Sequence, residues 1–229
     1  MEKILILHGW GSCAKNWEQV KELLEKKEYK VFIPDLPGFG NNPPPPHPWS
    51  LDDYVSWVEK YAQFTEPFFL FGHSFGGSIA TKFVIKNPEK IKKLFLIDTA
   101  GIRRKSRKKN LIKKTAHFAK KLSFLPFFNF FRKVFYRFIV KSDYPYTQGN
   151  VMRNIYLNII NEDISKDFSK ITVPTIIIWG KKDKITPLKD AYYFKEQIRD
   201  AKLEILPDIY HNPHRENPKL LVEKILTYL

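Results

Sequence analysis

Cysteine is almost missing from this chain: among 229 residues Cys13 stands alone, so no intrachain disulfide can form. That usage suits a reducing compartment, and the cytoplasm is the expected location. Long apolar runs are lacking too. No stretch approaches the roughly 20 apolar residues that a membrane-spanning helix needs, and the run at 4–7 is too short for the core of a signal peptide. Acidic residues vanish from one region altogether, since residues 99–142 hold 14 Lys and Arg with no Asp or Glu. The remainder carries 25 basic residues against 24 acidic ones, so the net charge of +15 belongs to that segment rather than to the whole surface. There are no internal repeats.

What is present describes a packed domain. Hydrophobic residues make up 43% and charged residues 28%, which argues against disorder, and the length allows one sizeable core. Short apolar runs at 3–7, 30–34, 67–71, 93–97, 175–179 and 202–206 alternate with longer amphipathic stretches. That alternation predicts an α/β fold with a mostly parallel sheet between helices. Helices are expected at 17–27, from 51 to about 64, and at 74–87, 191–198 and 218–228. Ser50 with Asp53 reads as a capping box opening the second of these. The five prolines within 41–48 exclude an interior strand or helix there and predict an extended surface loop, a rigid connector or the rim of a site.

The interval between the fourth and fifth runs is too long for a structureless connection. It divides the chain into a core of residues 1–100 and 166–229 and an inserted helical cap at 101–165, basic and rich in phenylalanine. Within it Arg103-Arg104-Lys105-Ser106-Arg107-Lys108-Lys109 is the densest charge run. Phe124, Phe128, Phe131, Phe135 and Phe138 follow at helical spacing, with Arg132, Lys133 and Arg137 falling off their face. The apolar face could pack on the core or line an acyl pocket through Phe128, Phe131 and Phe135. The basic face could be solvated or could meet an anionic partner, a membrane surface or an acidic carrier protein, with nucleic acid disfavoured.

Chemistry concentrates in Gly72-His73-Ser74-Phe75-Gly76, set between a predicted strand and a predicted helix. A serine on such a turn presents its hydroxyl outward as a nucleophile, and flanking glycines let backbone approach. The Phe75 N–H at the helix start faces the charge that develops on an attacked carbonyl oxygen. In His8-Gly9-Trp10-Gly11, glycines leave the Trp10 N–H room to supply a second donor to that oxyanion. His8 is expected to organise this loop. If the base follows the nucleophile and the acid in chain order, His211 and His214 are the candidates. His211 is preferred, five residues past the last predicted strand, and His214 is expected at the surface. Asp183, just past the fifth strand, is the favoured orienting acid. Asp208 is expected to serve its turn, and Asp98, ending the fourth strand, is a third candidate.

These residues together resemble the α/β-hydrolase superfamily over nearly the whole chain. The resemblance rests on His8-Gly9-Trp10-Gly11, Asp35-Leu36-Pro37-Gly38-Phe39-Gly40, Gly72-His73-Ser74-Phe75-Gly76-Gly77, Trp179-Gly180-Lys181-Lys182-Asp183 and His211-Asn212-Pro213, all in family order. Within the superfamily the chain is similar to capped serine carboxylesterases, of the pimeloyl-carrier-protein methyl ester esterase kind, and to ring-fission carbon–carbon hydrolases. That implies a triad of Ser74, Asp183 and His211, ester hydrolysis through an acyl-enzyme, and no metal or organic cofactor. Carbon–carbon bond hydrolysis, or a binding module that has kept the fold, are the alternatives. Serine at position 74 disfavours the dehalogenase and epoxide-hydrolase branches, which place aspartate there. Members usually carry two strands ahead of the one entering the His8 loop, so a reduced, all-parallel, six-stranded sheet is expected.

Overall fold

The computed structural model describes residues 1–103 and 149–229, which form one compact unit. The expectations for Phe124, Phe128, Phe131, Phe135 and Phe138, for the pocket they would line and for the basic run beyond Arg103 lie outside the described residues. Six strands build one sheet: β1 (Lys3–Leu7), β2 (Lys30–Phe32), β3 (Phe68–His73), β4 (Ile91–Ile97), β5 (Thr175–Gly180) and β6 (Ala201–Leu206). Their order is β2-β1-β3-β4-β5-β6, and every neighbouring pair is parallel. β2 is an edge strand and stops before Pro34, which has no N–H to give to a ladder.

Side chains alternate between the two faces, as the period of a strand requires. Leu5, Leu7, Leu70, Leu94, Leu96, Ile177 and Trp179 enter one apolar layer. Helices α2 (Leu51–Tyr61), α3 (Phe75–Lys86), α4 (Gly149–Asn161) and α5 (Leu188–Gln197) contribute to it through Tyr54, Phe83, Ile155 and Phe194. Ile4, Ile6, Phe69, Phe71, Phe95, Ile97, Ile176 and Ile178 enter the other, where α1 (Glu18–Glu25) and α7 (Pro218–Leu226) add Val20, Leu24, Leu221 and Ile225. Both faces are covered, which is why the central strands read as nearly unbroken apolar runs. The capping box at α2 is present: Ser50 Oγ accepts from the Asp53 N–H at 3.3 Å, and Asp53 Oδ2 accepts from the Ser50 N–H at 2.7 Å.

The chain rejoins the sheet unit earlier than the expected boundary at 166. Helix α4 belongs to this unit, burying Met152, Ile155 and Ile159 as a single stripe against the layer formed by α2 and α3. Lys82 on α3 ties down its far end, with Nζ 2.5 Å from Glu162 Oε1 and 3.1 Å from Asp52 Oδ2. Among the described residues no helix is long and apolar enough to cross a membrane.

Candidate active site

In an open parallel sheet, binding crevices form beyond the carboxyl ends of strands, where the chain order reverses. Here the reversal lies between β1 and β3, because β2 is added on one side of β1 and β3 on the other. The loop after β1 begins at His8, and the turn after β3 carries Ser74.

Ser74 adopts φ 51° and ψ −115°, a positive-φ conformation that costs a non-glycine residue about 1–3 kcal/mol. The turn is held from both directions. The Ser74 N–H donates to the Ile97 carbonyl at 3.0 Å, and the Ser74 carbonyl accepts from Gly77 N–H at 3.0 Å and Ala100 N–H at 3.1 Å. The pattern needs glycine at 76, since a Cβ there would lie 2.0 Å from the Leu7 carbonyl oxygen. The serine hydroxyl caps nothing in α3 and is left for other work.

That hydroxyl lies 3.0 Å from His211 Nε2, and His211 Nδ1 lies 2.7 Å from Asp183 Oδ2. The carboxylate can only accept, so Nδ1 carries the proton and Nε2 is the acceptor for Ser74 O–H. Asp183 also accepts from the N–H groups of Ile185 at 2.7 Å and Thr186 at 3.0 Å, and from the Thr186 hydroxyl at 2.5 Å. Burial pushes its carboxyl upward, yet the hydrogen bond and charge of His211, with Thr186 and Ile185, bring it below the usual aspartate range. The structure thus joins Ser74, His211 and Asp183 in one hydrogen-bonded line. Asp208 is exposed elsewhere in its loop, paired with Lys182 at 2.9 Å.

His8 is a buried brace. Its Nε2 accepts from the Leu36 N–H at 2.9 Å, so its proton sits on Nδ1, 2.9 Å from the Gly9 carbonyl. Burial keeps it neutral by lowering its pKa, against the opposing pull of that carbonyl and of Asp35. The next residue passes close to the nucleophile, for a Cβ on Gly9 would lie 3.2 Å from Ser74 Cβ. Among the described residues, no hydrogen-bond acceptor takes the N–H of Trp10 or of Phe75. The Trp10 ring meets Phe39, Phe75 and Tyr156 at centroid distances of 4.8, 5.5 and 5.3 Å, making an apolar wall beside the serine.

His214 is corrected from a surface residue to a core one. It is 1% exposed and stacked on Trp17 with centroids 4.2 Å apart and planes 1° from parallel. The short helix α6 (Pro213–Glu216) turns it inward, away from the solvent its sequence position suggested. Burial, with Arg215 and His211, lowers its pKa to about 3. Three other positioning groups have no local signature. His73 Nε2 donates to the His211 carbonyl at 2.7 Å, the Thr186 hydroxyl reaches Asp183, and Glu216 accepts from both the Tyr210 and Asn212 N–H groups flanking His211, at 2.7 and 2.9 Å. Only the Ser-flanking place of His73 could have drawn notice. Asp98, Asp183 and His211 have ligand-type atoms within 4.8 Å of one another. His211 Nδ1 and Asp183 Oδ2 are already committed to each other, an arrangement suited to orienting the imidazole rather than holding an ion.

Known proteins share this architecture. The family model for the alpha/beta hydrolase fold matches residues 3–218. Lipase 3 of Moraxella sp. (strain TA144) is 28% identical over 235 residues, an alignment covering 95% of this chain and 74% of the relative. Monoacylglycerol lipase ABHD6 of Mus musculus is 27% identical over 258 residues, covering 99% and 75%. Among solved structures, the esterase EaEST from Exiguobacterium antarcticum shares the fold with a TM-score of 0.76 at 22% identity, covering 100% of this chain and 91% of that one. With its sheet order, its strained serine turn and a family match across most of its length, the chain belongs to the alpha/beta hydrolase family.

Proposed function

We propose that the protein hydrolyses carboxylic esters by a two-step acyl-enzyme route. The observation that carries this reading is the continuous line from Ser74 Oγ to His211 Nε2 at 3.0 Å and from His211 Nδ1 to Asp183 Oδ2 at 2.7 Å. His211 Nε2 takes the serine proton as Oγ attacks the ester carbonyl, and Asp183 orients the ring and stabilises the imidazolium. The N–H groups of Trp10 and Phe75 receive the oxyanion. His211 then gives its proton to the departing alcohol, leaving the acyl group on Ser74. Water, deprotonated by the same nitrogen, attacks that acyl-enzyme and releases the acid.

The aromatic cluster of Trp10, Phe39, Phe75 and Tyr156 next to the serine turn supports an ester with an apolar acyl group. Relatives named as lipases support an aliphatic acyl ester as substrate. The test is p-nitrophenol release from esters of graded acyl length by the purified full chain and by Ser74→Ala. A rate that rises with acyl length and falls by about a millionfold in the variant is expected. Equal turnover by Ser74→Ala would show that the serine takes no part.

A further inference from the structure

Asp98 has no part in the route above, yet it sits against it. It directly follows β4 with φ 41°, a second non-glycine residue held in the positive-φ region at this edge of the sheet. Its side chain is fully buried. Oδ1 accepts from the Gly180 N–H at 2.9 Å, while Oδ2 is buried with no donor to accept from among the described residues. Near it, within 4.8 Å, are a carboxylate oxygen of Asp183 and a ring nitrogen of His211, whose Nδ1 proton is already given to Asp183. An ionised carboxylate oxygen without a donor, buried beside a second carboxylate, would be among the costliest groups a core can hold. One proton removes the conflict: Oδ1 stays the carbonyl that accepts from Gly180, and Oδ2 becomes a donor.

We propose that Asp98 is a protonated carboxylic acid whose Oδ2–H is given to the carboxylate of Asp183, making Asp98 a positioning residue that holds Asp183 toward His211. The proposal rests on the esterase reading for its kinetic consequence, though not for the protonation state. The surroundings agree with it. Burial is the main force raising the Asp98 carboxyl well above the ordinary aspartate range, followed by the charge of Asp183, and Glu216 adds in the same direction. Only the Gly180 N–H pulls the other way. The charged and titratable groups facing it are thus Asp183 from the β5 loop, His211 from the β6 loop and Glu216 from α6. The two aspartates carry one negative charge between them, and it resides on the one that serves the histidine. A carboxylic acid here rather than an apolar residue gives Asp183 a further donor beside those from His211 and Thr186.

Asp98→Asn and Asp98→Ala separate the possibilities. Asparagine keeps an acceptor for Gly180 and a donor for Asp183 at every pH, whereas alanine removes both. Infrared difference spectra of wild type against Asp98→Asn at neutral pH should contain the C=O stretching band of one protonated carboxylic acid, a readout independent of activity. With p-nitrophenyl butyrate, Asp98→Ala should lose about tenfold to a hundredfold in kcat with KM little changed, as expected for a loosened catalytic geometry. Asp98→Asn should recover most of that loss and keep the acid limb of the kcat/KM profile at its wild-type pH. Absence of the infrared band, with an acid limb moved to lower pH in Asp98→Asn, would identify Asp98 as an anion and overturn the proposal. Full kcat in folded Asp98→Ala would overturn the positioning role. Failure of wild type to cleave esters would count against the esterase reading, and the infrared band would still decide the protonation of Asp98.

Discussion

His73 donates its Nε2 proton to the carbonyl oxygen of His211 at 2.7 Å, joining the residue before the serine to the backbone of the base. The bond spans 138 positions in the chain and sets the distance between the β3 turn and the β6 loop. Burial first, then the neighbouring His214 and His211, push the His73 pKa well below its ordinary value, so the donor is a neutral imidazole. His73→Ala should reduce kcat about tenfold to a hundredfold while KM changes little, because the serine and base remain but their spacing loosens. Steady-state kinetics on a short-chain ester measures this, and an unchanged kcat would remove His73 from the account.

The loop after β1 offers a second test. A methyl group on Gly9 would approach His73 Nδ1 to 2.9 Å and Ser74 Cβ to 3.2 Å, so Gly9→Ala must push the Trp10 N–H away from the serine. Loss of one oxyanion donor predicts a fall of about a hundredfold to a thousandfold in kcat. Thermal denaturation of the same variant would distinguish this from unfolding. A folded Gly9→Ala with wild-type kcat would place the oxyanion elsewhere.

Asp183→Asn keeps the shape of the acid but removes its charge, and its amide can donate to His211, favouring the wrong tautomer. The expected cost is about ten-thousandfold in kcat, by analogy with the same substitution in a serine protease. Burst kinetics would locate the loss in acylation, and a variant within tenfold of wild type would mean another group orients His211.

Stability should respond to pH through His214. Its folded pKa, about 3, lies below the ordinary 6.5, so the unfolded chain binds a proton that the folded chain refuses between those values. This contribution to stability is fully present above 6.5 and is lost progressively as pH falls toward 3. Each pH unit within that window removes about 1.4 kcal/mol. His214→Phe, which keeps a ring to stack on Trp17, should flatten the decline in Tm between pH 6.5 and 5. An identical slope in wild type and variant would contradict this.

Much of the fold was legible because its signals are local. Alternate residues of β1, β3 and β4 are apolar on both faces, and Ser74 lies between a buried strand and a helix with glycines where backbone must pass. His214 was misread because its position at the start of a short helix says nothing of the Trp17 ring that covers it, 197 positions earlier in the chain. The work of Thr186 and Glu216 was likewise invisible. Their carboxylate and hydroxyl bonds depend on how two loops meet at the sheet edge, and neither residue type is distinctive there. The return of the chain at α4 was hidden by an interval with no strand in it, although Met152, Ile155 and Ile159 carried the helical stripe.

The central claim is that Ser74 is a nucleophile activated by His211. A fluorophosphonate reacts with such a serine and not with an ordinary surface hydroxyl, so the most direct measurement is intact-mass and peptide analysis of the folded full chain after exposure to it. One phosphonyl adduct per chain, mapped to Ser74 and strongly slowed by His211→Ala, is the predicted result. A folded protein with no adduct, or with its adduct on another residue, would contradict it.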